Sequence, residues 1–221
     1  MRPALEAAAE AGFAGLFCIV SDPVELLAQA AFHDSNSPAP AAAGEPGRFL
    51  GAGLAPESVA GLALGVMWGR AMACAASLGM GDRVQRRGAA YGPHSTEVLV
   101  FDDPAQPDPE LSRRLTEAAR GGNLKIRDLG YLPYIGPALS SIALTLPPLL
   151  AGREVLTSHF VHGIYFGGPS RLEWGMVSSP GVMAPAVREQ IRQLHRRLRE
   201  RMEQAGLLFG TLDAAPSGID S

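Results

Sequence analysis

One short segment near the N-terminus restricts the possible folds more than any other feature of the sequence. Gly15 to Val20 is a continuous apolar run, as expected of a strand buried on both faces of a parallel sheet. Ser21-Asp22-Pro23 interrupts this run, and Val24 to Phe32 continues with helical spacing, the proline falling in the first helical turn. A strand, a turn and a helix in this order predict an α/β protein. They also place Asp22 at the carboxyl end of a strand, where α/β sheets bind ligands.

The rest of the chain alternates between helical and extended patterns. The predicted helices are Pro3 to Ala11, Glu57 to about Leu78, Glu110 to Leu129, Tyr134 to Leu149 with Pro147-Pro148 as its end, and Ala184 to Ala205. Strands are predicted at Arg48 to Gly53 and, as an antiparallel set, within Glu154 to Trp174. Asp34 to Gly47 is rich in Ser, Pro, Ala and Gly and predicts a loop.

Arg86 to Phe101 predicts two short strands around a tight turn, with His94 at the turn. Gly92-Pro93 is the turn signal, and the residues on either side are small or β-branched. A histidine held there by two strands has a fixed ring that a ligand can reach, and an imidazole exchanges protons readily near neutral pH. A solvated histidine in a hairpin loop is the alternative interpretation.

Composition and charge argue against several classes of function. The net charge of −3 gives no electrostatic reason to expect nucleic acid or an anionic membrane as a partner. Glutamates interleave the arginines of the last predicted helix, which favours a solvated face. Val59 to Gly81 is long and apolar, but Arg70 lies near its middle, which favours a buried helix over a membrane span.

The cysteines and histidines give no metal-binding pattern. Cys18 and Cys74 lie in apolar surroundings without metal-ligand spacing, which predicts reduced thiols in a cytoplasmic protein. His159 and His162 are three residues apart on a predicted strand, and that spacing directs them to opposite faces. No metal is therefore expected.

Five segments, in order over about residues 10 to 205, resemble the lactate and malate dehydrogenase family. The pairs are Ser21-Asp22-Pro23-Val24 with the family's S-N-P-V-D, Gly51-Ala52-Gly53 and Glu57 with G-S-G-T…D-S-A-R-F-R, Gly92-Pro93-His94 with G-E-H-G, Gly130 to Gly136 with G-Y-T-S-W-A-I-G, and Tyr165 to Leu172 with Y-L-G-V-P-A-x-L. The resemblance implies a residual part of a Rossmann sheet over residues 1–53, a mixed α/β substrate domain over 54–212 and a flexible tail over 213–221.

The resemblance also implies an activity and its site. Family members transfer a hydride between NAD and a 2-hydroxy acid, which makes NAD the expected cofactor and a small 2-hydroxy or 2-oxo acid the expected substrate. His94 takes the place of the catalytic acid/base, Glu57 that of its partner carboxylate, and Asp22 that of an asparagine at the substrate and cofactor. A homo-oligomer or a complementing Rossmann half is the expected partner.

Several departures from the family's pattern leave two interpretations open. The sequence has no G-x-G-x-x-G turn for the NAD pyrophosphate. The arginine that would bind the substrate carboxylate falls at Ala60, and Arg70, ten residues further along the predicted helix, is too distant to replace it. Leu132 takes the place of a threonine near the substrate. The chain is thus either a divergent or truncated dehydrogenase or a non-catalytic homologue that keeps the fold for binding or assembly.

Overall fold

In a computed structural model, the described residues, 1–36, 53–128 and 135–208, form helices packed around one mixed sheet and a separate hairpin. The helices are α1 (Arg2–Glu10), α2 (Val24–Asn36), α3 (Leu64–Ser77), α4 (Gly81–Arg87), α5 (Pro109–Asp128), α6 (Ile135–Leu150) and α7 (Pro185–Gln204), with a 3-10 turn at Pro56–Ser58. The strands are β1 (Phe17–Ile19), β2 (Val59–Gly61), β3 (Ala89–Tyr91), β4 (Leu99–Phe101), β5 (Val155–Val161), β6 (Ile164–Leu172) and β7 (Met176–Ser178).

The larger sheet has the order β1-β2-β5-β6-β7 and confirms the predicted α/β class. β1 and β2 are parallel, with Phe17 opposite Val59, and the other neighbouring strands are antiparallel. β2 pairs with β1 on one side and with β5 on the other, through Gly61 and Ser158. One sheet therefore contains strands from both sides of the predicted domain boundary between residues 53 and 54, and the division into two domains there stays a prediction.

β1 is less buried than its apolar sequence predicts. It is the outermost strand of the sheet among the described residues, and Phe17 and Cys18 are only partly buried, whereas Ile19 is buried. The prediction of a strand covered on both faces is wrong for its first two residues. The α2 helix that follows is confirmed, and it extends to Asn36, into the segment predicted as a loop.

The predicted helix over Glu57 to Leu78 is instead a 3-10 turn, a strand and a shorter helix. Val59 and Ala60 are fully buried in β2, and helix α3 begins only at Leu64. Gly61 makes the strand possible at this point, because a β-carbon there would collide with Val24 and lie 2.9 Å from the side chain of Ser158. Close backbone approach, which the apolar pattern does not reveal, decides between strand and helix here.

Two other boundaries differ from the prediction. Arg86 and Arg87 belong to α4 rather than to a strand, so that the β3–β4 hairpin begins at Ala89. Pro147 and Pro148 lie inside the last turn of α6, which continues to Leu150. Because a proline has no N–H group, Pro147 and Pro148 cannot donate hydrogen bonds to residues earlier in the helix. Their carbonyl groups can still accept, and the Pro147 carbonyl accepts a hydrogen bond from Ala151 N.

Most of the remaining elements are confirmed. The helices α1, α5 and α7 and the β5–β6 hairpin lie where the sequence predicts them, and Leu194, Leu198 and Met202 of α7 are buried. Within the described part of the chain, no helix is long and apolar enough to cross a membrane. Residues 37–52, 129–134 and 209–221, which include most of the predicted strand at 48–53, most of the Gly130 to Gly136 motif with Leu132, and the tail, lie outside the described residues.

Candidate functional site

The loop that carries His94 is fixed to the large sheet by two glycines. Gly92, with φ of +99°, donates its N–H to the carbonyl oxygen of Gly167 on β6 at 3.0 Å. A β-carbon at Gly167 would collide with the Gly92 carbonyl, and one at Gly92 would collide with Leu194 of α7. Glycine at both positions lets the two backbones touch, which holds the hairpin turn against β6.

The His94 ring has a defined proton position. Its Nδ1 atom lies 2.9 Å from the carbonyl oxygen of Ala63, at the start of α3. A carbonyl oxygen only accepts hydrogen bonds, so Nδ1 carries the proton and Nε2 is left as the basic nitrogen. The side chain is 13% exposed. His94 is therefore not a solvated loop histidine but a mostly buried one with an oriented ring.

Asp22 faces the basic nitrogen of His94. Its Oδ1 atom lies 3.8 Å from His94 Nε2, at the point where β1 ends and a cis Asp22–Pro23 peptide leads into α2. The Asp22 side chain is 64% exposed, so this edge of the sheet is open to a ligand. The structure brings together the two residues that the sequence analysis placed at the catalytic and binding positions.

The structure places Glu57 elsewhere. It lies on the 3-10 turn against Gly175, where a β-carbon would be 2.6 Å from that of Glu57. It is also near Tyr165, whose pKa is raised by burial first and by the charge of Glu57 second. The Nδ1 proton of His94 goes to the Ala63 carbonyl instead. The predicted pairing of His94 with Glu57 is corrected accordingly.

Arg70 of α3 interacts electrostatically with Asp22. It lies on α3, seven residues after Ala63, and a helix brings residues at that spacing to one face. Its side chain packs over Gly122 of α5, and its Nη1 donates to the carbonyl oxygen of Ala119 at 3.2 Å. Burial lowers the pKa of Arg70, and the negative charge of Asp22 opposes this effect.

One buried residue beside His94, Glu25, is not among the residues that the sequence analysis predicts for the site. Glu25 of α2 is 2% exposed, and its carboxylate accepts the backbone N–H of His94 and the hydroxyl of Ser158 on β5. Burial is the largest influence on the Glu25 pKa and raises it, while the hydrogen bonds from Ser158 and His94 act in the opposite direction. The available signal was that Glu25 is the only charged residue in the apolar run from Val24 to Phe32.

Known structures share this architecture although their sequences are dissimilar. No protein-family model matches the chain, and no curated protein is significantly similar in sequence. The minor L-lactate dehydrogenase from Enterococcus mundtii superposes with a TM-score of 0.68 at 16% identity, over 95% of this chain and 69% of that one. Malate dehydrogenase from Archaeoglobus fulgidus in complex with NADH superposes with a TM-score of 0.65 at 17% identity, over 92% of this chain and 67% of that one. Malate dehydrogenase from Plasmodium falciparum superposes with a TM-score of 0.70 at 12% identity, over 93% of this chain and 68% of that one.

This chain has the lactate/malate dehydrogenase fold. The similarity covers nearly all of the chain, and the chain spans about two thirds of each of these neighbours. At 12–17% identity the superposition establishes the fold, while the roles of individual residues depend on the geometry of the site.

The positions of β2 and α3 bear on the register of one motif. The G-S-G-T…D-S-A-R-F-R stretch was matched to residues 51–60, with Ala60 as the arginine, on the premise that a helix runs through Ala60. Ala60 instead lies in β2, and the strand, turn and helix occur ten residues later, from Gly61 into α3. If the motif is shifted by ten residues to follow this order, its arginine falls at Arg70 and its aspartate at Met67. The premise of a helix through Ala60 is therefore wrong, and the placement of the arginine at Arg70 is a prediction.

Proposed function

We propose that this chain is the substrate-binding and proton-transfer part of a divergent 2-hydroxy-acid dehydrogenase of the lactate/malate dehydrogenase family. One observation carries the proposal. The Ala63 carbonyl fixes the proton of His94 on Nδ1, and the basic Nε2 atom faces the carboxyl end of β1 beside Asp22. This arrangement suits a general base, since the Nδ1 bond orients the ring and Nε2 faces the exposed Asp22.

Arg70 supplies the second half of the site. Its guanidinium is positively charged under all ordinary conditions and suits a substrate carboxylate, which it can bind through two parallel N–H donors. A 2-hydroxy acid whose carboxylate is bound at Arg70 would present its hydroxyl to His94 Nε2, which takes the proton when the substrate is oxidised. In the opposite direction, protonated His94 returns that proton to the oxo group.

The residues of this chain fit only one end of the cofactor that the family uses. Asp22 and His94 could contact the nicotinamide, but the sequence contains no G-x-G-x-x-G turn to bind the pyrophosphate. NAD is therefore not a cofactor that this sequence can hold by itself, and no step is assigned to it. We expect a complementing Rossmann half, or another copy within an oligomer, to be required for hydride transfer.

A titration of NADH tests this proposal. The chain alone is expected not to bind NADH at micromolar concentrations, because most of the cofactor's contacts are missing, and NADH fluorescence measures this directly. The same titration with a co-expressed Rossmann half that carries a glycine-rich turn should give saturable binding. Micromolar binding by the chain alone would contradict the proposed division of the site.

A second candidate function is a non-catalytic homologue that keeps the fold for binding or assembly. The observation in its favour is that, in the described part of the chain, His94 Nδ1 bonds to the Ala63 carbonyl and not to a carboxylate. An absence of NADH binding both with and without the Rossmann half would favour this candidate.

The charge of Asp22 predicts an effect on substrate binding. A carboxylate beside His94 and Arg70 repels the carboxylate of a substrate by roughly 1 kcal/mol at a distance of several ångströms near the surface. Asp22→Asn, which introduces the family's residue, should therefore tighten the binding of oxamate, a 2-oxo acid analogue, by about fivefold. Chemical-shift titrations can measure the change, with Arg70→Gln as the control that should weaken binding. Weaker binding in Asp22→Asn would mean that Asp22 contributes a favourable contact.

A further inference from the structure

We propose that Glu25 is the positioning residue of His94: its buried carboxylate holds the backbone of the His94 loop and supplies the negative charge that stabilises the protonated imidazole. This inference rests on the acid/base function proposed for His94 and deepens it. The proposal separates two tasks that a single carboxylate on Nδ1 performs in the dehydrogenase motif. Here the Ala63 carbonyl orients the ring, and Glu25 provides the charge.

The contacts of Glu25 join three parts of the fold at one carboxylate. Its Oε1 and Oε2 atoms lie 3.1 and 3.2 Å from the backbone nitrogen of His94, and Oε1 accepts the Ser158 hydroxyl at 2.5 Å. These bonds connect α2, the hairpin loop and β5. Any displacement of Glu25 must therefore move the loop that determines where His94 Nε2 lies.

Burial gives the charge of Glu25 a strong effect. The residue is 2% exposed, and water screens a charge in such a position much less than at the surface. A carboxylate that only had to bind one backbone N–H and one hydroxyl could be replaced by a neutral amide without the cost of burying a charge. Both oxygens of Glu25 accept hydrogen bonds, from the His94 N–H and the Ser158 hydroxyl, which is the pattern of an ionised carboxylate. A negative charge at this position attracts a protonated imidazole, which an amide does not.

The other charges around His94 do not perform this task. Asp22, at the end of β1, is exposed and faces Nε2, the nitrogen that the substrate must reach. Arg70 of α3 is positive and interacts with Asp22. Glu97, on the His94 loop itself, is paired with Arg197 and Arg201 of α7 at 3.6 and 2.5 Å. Glu25 is thus the buried negative charge next to His94 among the described residues.

A pair of Glu25 variants separates the charge from the hydrogen bond. Glu25→Gln keeps an acceptor for the His94 N–H but removes the charge, so the His94 amide should stay protected from hydrogen exchange. The midpoint of the pH titration of the His94 ring, followed by NMR, should move down by about 0.5 to 1 pH unit. Glu25→Ala should produce the same downward movement and also accelerate exchange of the His94 amide by at least tenfold.

The matched control is Gln29→Leu. Gln29 lies one turn further along α2, is equally buried, and bonds to the backbone of Tyr165 and Leu207 instead of His94. The Gln29→Leu variant should leave the titration of the His94 ring unchanged. An unchanged ring titration in folded Glu25→Gln would overturn the proposal and leave Glu25 a purely structural residue.

A parallel measurement of oxamate binding distinguishes this proposal from the function on which it rests. In one outcome, the titration of the His94 ring moves in Glu25→Gln, but the wild-type protein binds no oxamate. This outcome supports the coupling of Glu25 and His94 and counts against the dehydrogenase function. Oxamate binding together with an unmoved ring titration supports the function and overturns the role of Glu25. The His94→Gln variant identifies the ring signal in both cases.

Discussion

Replacement of His94 by glutamine is expected to lower the turnover of any accepted 2-oxo acid by at least about 10²-fold, the usual contribution of a general acid/base. Glutamine fills similar space but does not exchange a proton at the position of Nε2. The loss should appear mainly in kcat, because Arg70, rather than the histidine, is the residue proposed to bind the substrate carboxylate. NADH oxidation by the chain together with a complementing Rossmann half provides the assay.

The matched control for this variant is His162→Gln. His162 is exposed in the turn between β5 and β6, outside the site, and its replacement should leave turnover unchanged. If turnover survives in His94→Gln, the histidine is structural and the assignment of the acid/base is wrong. An equal loss in both variants would indicate a general effect on folding rather than on chemistry.

Acidification is expected to destabilise the fold through His159. This residue is 1% exposed, its Nδ1 donates to the Thr157 carbonyl at 3.3 Å, and its buried Nε2 has no partner among the described residues. Burial lowers the pKa of His159 from 6.5 to about 4. Between these values the unfolded chain binds a proton that the folded chain does not. The free energy of unfolding therefore falls as the pH decreases, by about 3 kcal/mol from this residue between pH 7 and pH 4.

Urea unfolding at several pH values can isolate this contribution. His159→Asn keeps a donor for the Thr157 carbonyl but does not titrate. Between pH 7 and pH 4, its free energy of unfolding should therefore fall by about 3 kcal/mol less than that of the wild type. The control is His162→Asn, since His162 is exposed and has a φ of +47°, which asparagine tolerates. Its pH dependence should match that of the wild type.

The slope, not the absolute stability, is the quantity to compare. Asparagine is smaller than histidine, so His159→Asn starts from a lower stability at every pH. Glu25 acts in the opposite sense, because burial raises its pKa and its protonation favours the folded state as the pH falls. Since Glu25 is present in all three proteins, its effect cancels. Parallel curves for the wild type and His159→Asn would contradict the buried neutral state of His159.

The sequence was sufficient where a local pattern decides the structure. The apolar run before Ser21 and the helical spacing after Pro23 predict the βα unit that places Asp22 at the end of β1. Gly92-Pro93 between two β-rich segments predicts the hairpin that presents His94. The apolar stripe of α7, with Leu194 and Leu198, predicts its buried face. In each case neighbouring residues determine backbone conformation or amphipathicity, and these properties are visible without knowledge of distant contacts.

The tertiary structure alone decided which residues surround His94. Val59 to Gly61 reads as the start of a helix, but pairing with β1 and β5 makes it a strand. The proposed place of Arg70 in the motif depends on this difference. Glu25 and Ser158 are 133 residues apart, and only the fold shows that they share a hydrogen bond. Burial, strand pairing and close backbone approach depend on long-range packing. The sequence therefore determined the βα unit and the hairpin, but not the carboxylate that accepts the His94 backbone N–H.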